Sequence, residues 1–197
     1  MNLKNLFMNI NKSKNKYVFL GDTNSINVEI ICKSVKRISP NIRYILIGNL
    51  IDLKKYLKKI KLNYKINEVL DPYNFETFKY NYLNIFNIEN ISNLKYKNLL
   101  NQLNFCNYIS NKTKNDLVTM PINKSIFKEN IKFIGITEYL GKLNKKKTMM
   151  LMLGDNFSVI PYTTHINLKS VHQNLKPDKL KSFFNILTKY LKSKKTI

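Results

Sequence analysis

The chain has 197 residues, 44% of them hydrophobic and 23% charged, with 34 Lys+Arg against 12 Asp+Glu and a formal net charge of +22. That apolar share excludes a wholly disordered chain, and no apolar run approaches the ~18 residues needed to cross a bilayer. The length suits one ordinary domain, or one and a part.

So large a positive charge invites an anionic partner by counterion release. Arginine, the residue of bidentate phosphate and base contacts, occurs only at Arg37 and Arg43, and lysine is spread over almost every segment. Ala and Trp are absent while Asn, Ile, Tyr and Phe abound, the profile of AT-biased codon usage. The lysines therefore read as a solvated surface, and neither nucleic acid nor a membrane is expected as a partner. The first 16 residues read as an extension without a secretory core or cleavage site, so the expected compartment is the cytoplasm. Cys32 and Cys106 match no metal spacing and read as small buried hydrophobes.

In chain order, residues 17–20 form a short apolar run that ends in Gly21-Asp22, the pattern of a buried strand entering a loop. Residues 26–35 read as a helix and 43–48 (RYILIG) as a second buried strand. A helix is expected from Asp52 as N-cap, with Leu53, Tyr56, Leu57 and Ile60 on one face and Lys54, Lys55, Lys58 and Lys59 on the wet side. Residues 63–90 are polar and aromatic and carry no clear period. Residues 98–110 suit a helix leading to an apolar strand, 116–120, stopped by Pro121. The alternation predicts a parallel sheet. The same rhythm then predicts a strand at 131–134, a helix at 137–143, strands at 148–153 and 157–163 around a Gly154-Asp155 turn, and a helix at 177–192. The domains are expected as 17–133 and the opening part of a second, 134–197.

No GxGxxG, GxxxxGK[ST] or GxSxG occurs, so these fingerprints of nucleotide and hydrolase sites lend no support. The segment YTTHINL (162–168) places His165 after a predicted buried strand, where a histidine can face a ligand crevice or serve as a hydrogen-bonded structural residue. His172 reads as surface.

Read in order, GDTNSINVEI (21–30), LVTMPINK (117–124), FIGITEYLGKL (133–143) and MMLMLGDNFSVIPYTTHINL (149–168) resemble the 4-hydroxythreonine-4-phosphate dehydrogenase (PdxA) family. The resemblance implies a three-layer α/β/α fold of the isocitrate/isopropylmalate-dehydrogenase type, here with an incomplete second domain. It also implies a homodimer, NAD, and a divalent metal such as zinc, cobalt or magnesium. The implied reaction oxidises 4-phosphooxy-L-threonine, a phosphorylated amino acid, and decarboxylates the product to 3-amino-2-oxopropyl phosphate in pyridoxal 5'-phosphate synthesis. His165 matches the first of three metal-binding histidines of the family, and Thr137 matches the threonine of a His-Thr substrate pair whose histidine is Ile136 here. The resemblance assigns no catalytic or cofactor-binding residue. In the family pattern GDPAGIGPE, two glycines correspond to Ser25 and Asn27, substitutions that could close a turn needing positive φ.

Family members exceed three hundred residues, and the other metal histidines and most of the NAD site lie in the part without a counterpart here. Three readings follow: an enzyme completed by another chain or by further sequence, a non-catalytic remnant, and a basic anion-binding protein. Uncovered apolar faces predict poor solubility of the chain expressed alone.

Overall fold

The computed structural model describes residues 15–127, 133–154 and 157–195. The chain forms two compact units, Ser13–Leu140 and one holding Gly141–Ile197. In the first, β1 (Asn15–Phe19), α1 (Asn27–Val35), β2 (Arg43–Gly48), α2 (Leu50–Lys59), β3 (Ile66–Glu68), β4 (Leu83–Asn87), α3 (Lys95–Thr113) and β5 (Asp116–Thr119) alternate along the chain. They build one sheet of order β3-β4-β2-β1-β5, with every pairing parallel. A further helix, α4 (Ile136–Leu143), contains the division between the units.

Strand β2 shows why the core has two halves. Its residues Tyr44 to Gly48 are buried in succession, as expected of a central parallel strand covered on both faces. Side chains alternate across the sheet. Tyr44 and Leu46 join Leu20, Val28, Cys32, Leu53 and Leu57 beneath α1 and α2. Ile45 and Ile47 join Tyr17, Phe19, Leu99, Leu103, Cys106 and Ile109 beneath α3. The result is the three-layer α/β/α arrangement.

Both cysteines are buried and free, as expected. Burial pushes the Cys32 thiol up to about 11, with Glu29 nearby acting in the same direction, and it raises that of Cys106 as well. Burial likewise pushes the Tyr44 phenol up to about 12, and its hydroxyl donates to the Tyr82 carbonyl.

Several expectations are corrected. Helix α2 starts earlier, with Asn49 as its cap, because the Asn49 side chain accepts from the Asp52 amide at 2.9 Å. Asp52 instead sits in the first turn, where a carboxylate suits the helix dipole. The unassigned stretch 63–90 contains two strands, β3 and β4. Strand β5 ends at Thr119, one residue short of the expected bound, and lies at the edge of the sheet with Val118 exposed. Ser25 and Asn27 require no positive φ; that conformation falls on Gly21 (φ 68).

In the second unit, β6 (Met152–Leu153) and β7 (Ser158–Val159) form a two-residue antiparallel ladder. The expected strands over 148–153 and 157–163 shorten to these rungs, and they do not continue the parallel sheet. Asp155, half of the expected turn, lies outside the described residues, but the Gly154 amide does donate to the Phe157 carbonyl at 3.1 Å. The strand expected at 131–134 has residues 131 and 132 outside the described set, and 133–135 is irregular. Two helices follow, α5 (Val171–Asn174) and α6 (Pro177–Lys195), the second three residues longer than predicted. Tyr162 packs edge-on against Phe183 and donates to the Asn174 carbonyl at 3.2 Å. All the buried hydrophobic side chains among the described residues belong to the first unit, whereas Met152, Leu153, Phe157, Leu168 and Phe184 of the second are exposed.

Candidate functional site

The carboxyl ends of β1, β2 and β4 lie side by side, and their loops are held by side-chain amides. After β1 the chain turns through Gly21, where an added Cβ would come within 2.7 Å of the Pro121 carbonyl and of Asn27 Nδ2. Asp22 closes the next turn by accepting from the Asn24 amide at 3.0 Å, and its own carbonyl accepts from Ser25 Oγ at 2.6 Å. Asn27, fully buried at the start of α1, donates through Nδ2 to the carbonyls of Leu20, Asp22 and Pro121 at 3.2, 3.3 and 2.8 Å. It thus ties the end of β1 to the loop after β5. Its Oδ1 is buried without a hydrogen-bond partner.

At the ends of β2 and β4, Asn49 Nδ2 donates to the Ile88 carbonyl at 3.2 Å, and the Leu50 amide donates to Asn87 Oδ1 at 2.9 Å. The loop before α3 wraps Asn98, whose Oδ1 accepts from the amides of Ile91 and Ser92 and whose Nδ2 donates to the Ser92 carbonyl at 2.7 Å. Lys95 reaches across to Asp22, with Nζ 2.7 Å from Oδ1, and the Asp22 side chain is only 6% exposed.

Helix α2 leaves β2 toward one face of the sheet and α3 leaves β4 toward the other. Between them opens a crevice of ≈ 770 Å³, the size of a small-molecule site. Diverging connections beyond the carboxyl ends of parallel strands are where open α/β sheets bind ligands. Helix α2 presents Asp52, Lys55, Tyr56 and Lys59 along one face, and α3 presents Lys95, Asn98 and Gln102 along one of its own. The lining supplies mostly ammonium and amide donors, which suit an anionic ligand such as a phosphate ester.

The residues singled out from sequence lie elsewhere. Thr137 is exposed in the first turn of α4, in the first unit. His165 is exposed in the second unit, past the β6–β7 hairpin, with left-handed backbone (φ 56). His172 is exposed in α5. No group of three His, Cys, Asp or Glu side chains that could hold a metal occurs among the described residues. One exposed imidazole is a poor trap for a catalytic ion, so these residues do not by themselves fit the metal that the resemblance implies. The crevice residues escaped the sequence reading because amides carry no motif; the spacing of Asn98 and Gln102 on α3 was the available signal. Among the described residues no helix is long and apolar enough to cross a membrane.

A parallel α/β/α sheet with a donor-rich crevice beyond its strand ends defines an open α/β protein with the crevice where such folds bind ligands. The family model described as "Pyridoxal phosphate biosynthetic protein PdxA" matches residues 40–197. The chain belongs to this PdxA family. It is 30% identical over 171 residues to the 4-hydroxythreonine-4-phosphate dehydrogenase of Campylobacter fetus, covering 84% of this chain and 52% of the relative. With the enzyme of the same name from Sulfurihydrogenibium sp. it shares 25% identity over 186 residues, 90% of this chain and 58% of that one. Among solved structures, the 4-hydroxythreonine-4-phosphate dehydrogenase of Klebsiella pneumoniae superposes with a TM-score of 0.77 at 18% identity, covering 91% of this chain and 60% of that one. The enzyme of Burkholderia phymatum gives 0.70 at 18%, covering 87% and 56%. The fold is therefore that of the isocitrate/isopropylmalate-dehydrogenase type, and the chain spans about half the length of the curated relatives it matches.

Proposed function

We propose that the chain supplies one part of a 4-hydroxythreonine-4-phosphate dehydrogenase site, acting in pyridoxal phosphate synthesis. The observation that supports this reading is the family match over 40–197, on a chain whose fold is that of enzymes bearing this name. The substrate is 4-phosphooxy-L-threonine. Its 3-hydroxyl carbon loses hydride and the hydroxyl loses its proton; the bond to the carboxylate then breaks, releasing carbon dioxide, and the carbon that carried the carboxylate takes up a proton to give 3-amino-2-oxopropyl phosphate. NAD, when bound, takes the hydride. Thr137 offers a hydroxyl to the substrate, and Ile136 beside it can neither donate a hydrogen bond nor carry charge, so orientation is weaker than with a histidine there. The described residues do not assemble the ligands of a divalent metal. His165 becomes a ligand only in company with further ligands, contributed by a complementing chain or further sequence.

The test is NADH formation from 4-phosphooxy-L-threonine by the purified chain, alone and mixed with a polypeptide covering the remaining part of the family fold. Turnover is expected only in the mixture, and it should be lost in His165→Ala. Turnover by the chain alone would overturn the need for completion, and a mixture insensitive to His165→Ala would overturn its assignment. Ile136 favours a second reading, a folded family module without turnover, which an inactive but stably associated mixture would support.

A further inference from the structure

The geometry points to the crevice between α2 and α3 as a binding site for a phosphate ester with a hydrogen-bonding organic body, held by Lys55 and Lys59 with Gln102 as the reading amide. The strongest observation concerns Gln102. It is only 5% exposed, and what exposure it has opens into the crevice it lines. Among the described residues its amide makes no hydrogen bond, whereas Asn49 and Asn98, which line the same crevice, are each committed to backbone partners. Unlike Asn27 Oδ1, the Gln102 amide keeps access to the crevice, so a polar group entering there can replace water as its partner.

Charge gives the second argument. Lys95 is neutralised by Asp22, and Asp52 is engaged by Asn90 Nδ2 at 3.1 Å. Lys55 and Lys59 stand four apart on the crevice face of α2 and have no carboxylate partner among the described residues. An anion that takes both ammonium groups places the rest of the ligand among Asn and Gln side chains, which recognise a polar body rather than an apolar one. Volume supports the same class: ≈ 770 Å³ is ample for bare phosphate and suits a nucleotide or a phosphorylated amino acid.

Two sources share this chemistry, the phosphates of a dinucleotide cofactor and the phosphate of the substrate class. That choice of sources rests on the proposed reaction, although binding itself does not. The experiment is calorimetric titration of the full chain with ADP and, separately, with O-phospho-L-threonine. Three variants accompany the wild type: Lys55→Gln with Lys59→Gln, the matched pair Lys54→Gln with Lys58→Gln on the same helix but outside the crevice, and Gln102→Leu. Circular dichroism checks that each folds.

One of the two probes is expected to bind, at least tenfold more weakly in the crevice pair, less than twofold more weakly in the matched pair, and about tenfold more weakly in Gln102→Leu. Binding of ADP alone assigns the crevice to the cofactor type, and binding of phosphothreonine alone assigns it to the substrate type. No binding of either, or equal weakening by the two lysine pairs, overturns the proposal, the latter because general attraction to the +22 chain would then explain the signal. Should Gln102→Leu misfold, Gln102→Glu serves instead, since a carboxylate there repels the same anion. A binding crevice in a chain that gives no turnover with its complement refutes the reaction and leaves the site. Turnover without probe binding refutes the site and leaves the reaction.

Discussion

Replacing Asn27 by alanine should loosen the junction of β1 and β5. The amide carries two hydrogens for three carbonyls, at 3.2, 3.3 and 2.8 Å, so about two full hydrogen bonds are lost, together with the pairing of buried carbonyls. At ~1–1.5 kcal/mol each this costs about 3 kcal/mol, and removing the unpartnered Oδ1 returns about 1, for a net loss of about 2 kcal/mol. For a unit of this size that corresponds to a fall in Tm of about 8 °C. Asn27→Gly, the residue of the family pattern, should do no better, because it removes the same donor and adds backbone freedom. Asn27→Asp is more telling. Its carboxylate would face three carbonyl oxygens in a buried site, which raises its folded pKa above the unfolded value of about 3.9. A raised acid pKa means that stability is retained below about pH 4 and falls as pH rises through the folded pKa. Urea unfolding followed by far-UV circular dichroism, with wild type measured at each pH, reads all three variants. A change of less than about 0.5 kcal/mol for Asn27→Ala, or an Asn27→Asp deficit equal at pH 4 and pH 8, would refute the clamp.

Other expectations follow from neighbouring contacts. Gly21→Ala should cost about 2 kcal/mol or more, since it puts a Cβ at φ 68 and within 2.7 Å of the Pro121 carbonyl; urea melts check it. Lys95→Ala should cost about 1–3 kcal/mol because it leaves the buried Asp22 carboxylate without its cation, and Lys95→Arg should recover most of the loss in the same assay. The raised thiol of Cys32, at about 11, and that of Cys106 predict no reaction with a thiol reagent at pH 8 until urea is added. Because these acids ionise more readily in the unfolded chain, stability should fall between about pH 8.5 and 11, a decline that Cys32→Ala should reduce. Brief trypsin digestion should cut first at the exposed Lys142, Lys145, Lys146 and Lys147, sparing the first unit, since the buried hydrophobic side chains lie there; initial cleavage inside 15–140 would contradict this.

The first unit was largely legible where apolar residues do the burying. RYILIG announces β2 to the residue because both faces of a central strand are covered. Strands β3 (INE) and β4 (LNIFN) escaped because Asn reads as a turn signal. Here Asn67 Nδ2 donates to Asn84 Oδ1 at 2.9 Å across the pair, and Asn84 also bonds the backbone of Lys79 and Tyr82, so the sheet tolerates buried amides. The crevice was illegible for a related reason: in an asparagine-rich chain the committed amides and the uncommitted Gln102 look alike until their partners are placed. In the second unit the apolar runs 149–153 and 157–163 promised buried strands. Burial needs neighbours, and beyond the short rung between β6 and β7 the described residues offer these strands no further partner.

The pairing of β1 with β5 has a consequence for synthesis. Lys16 lies opposite Asp116, one hundred residues later, and the two side chains form an ion pair. Until β5 has left the ribosome, one edge of the strand that carries Tyr17 and Phe19 stays open while β2 already occupies the other. Closing so distant a contact is slow, and an open apolar edge is the part of a nascent chain most ready to pair with a neighbour. Chaperone demand should therefore be set by the interval between the emergence of β2 and that of β5, and slowing translation between residues 90 and 120 should lower the folded yield more than slowing it after residue 140.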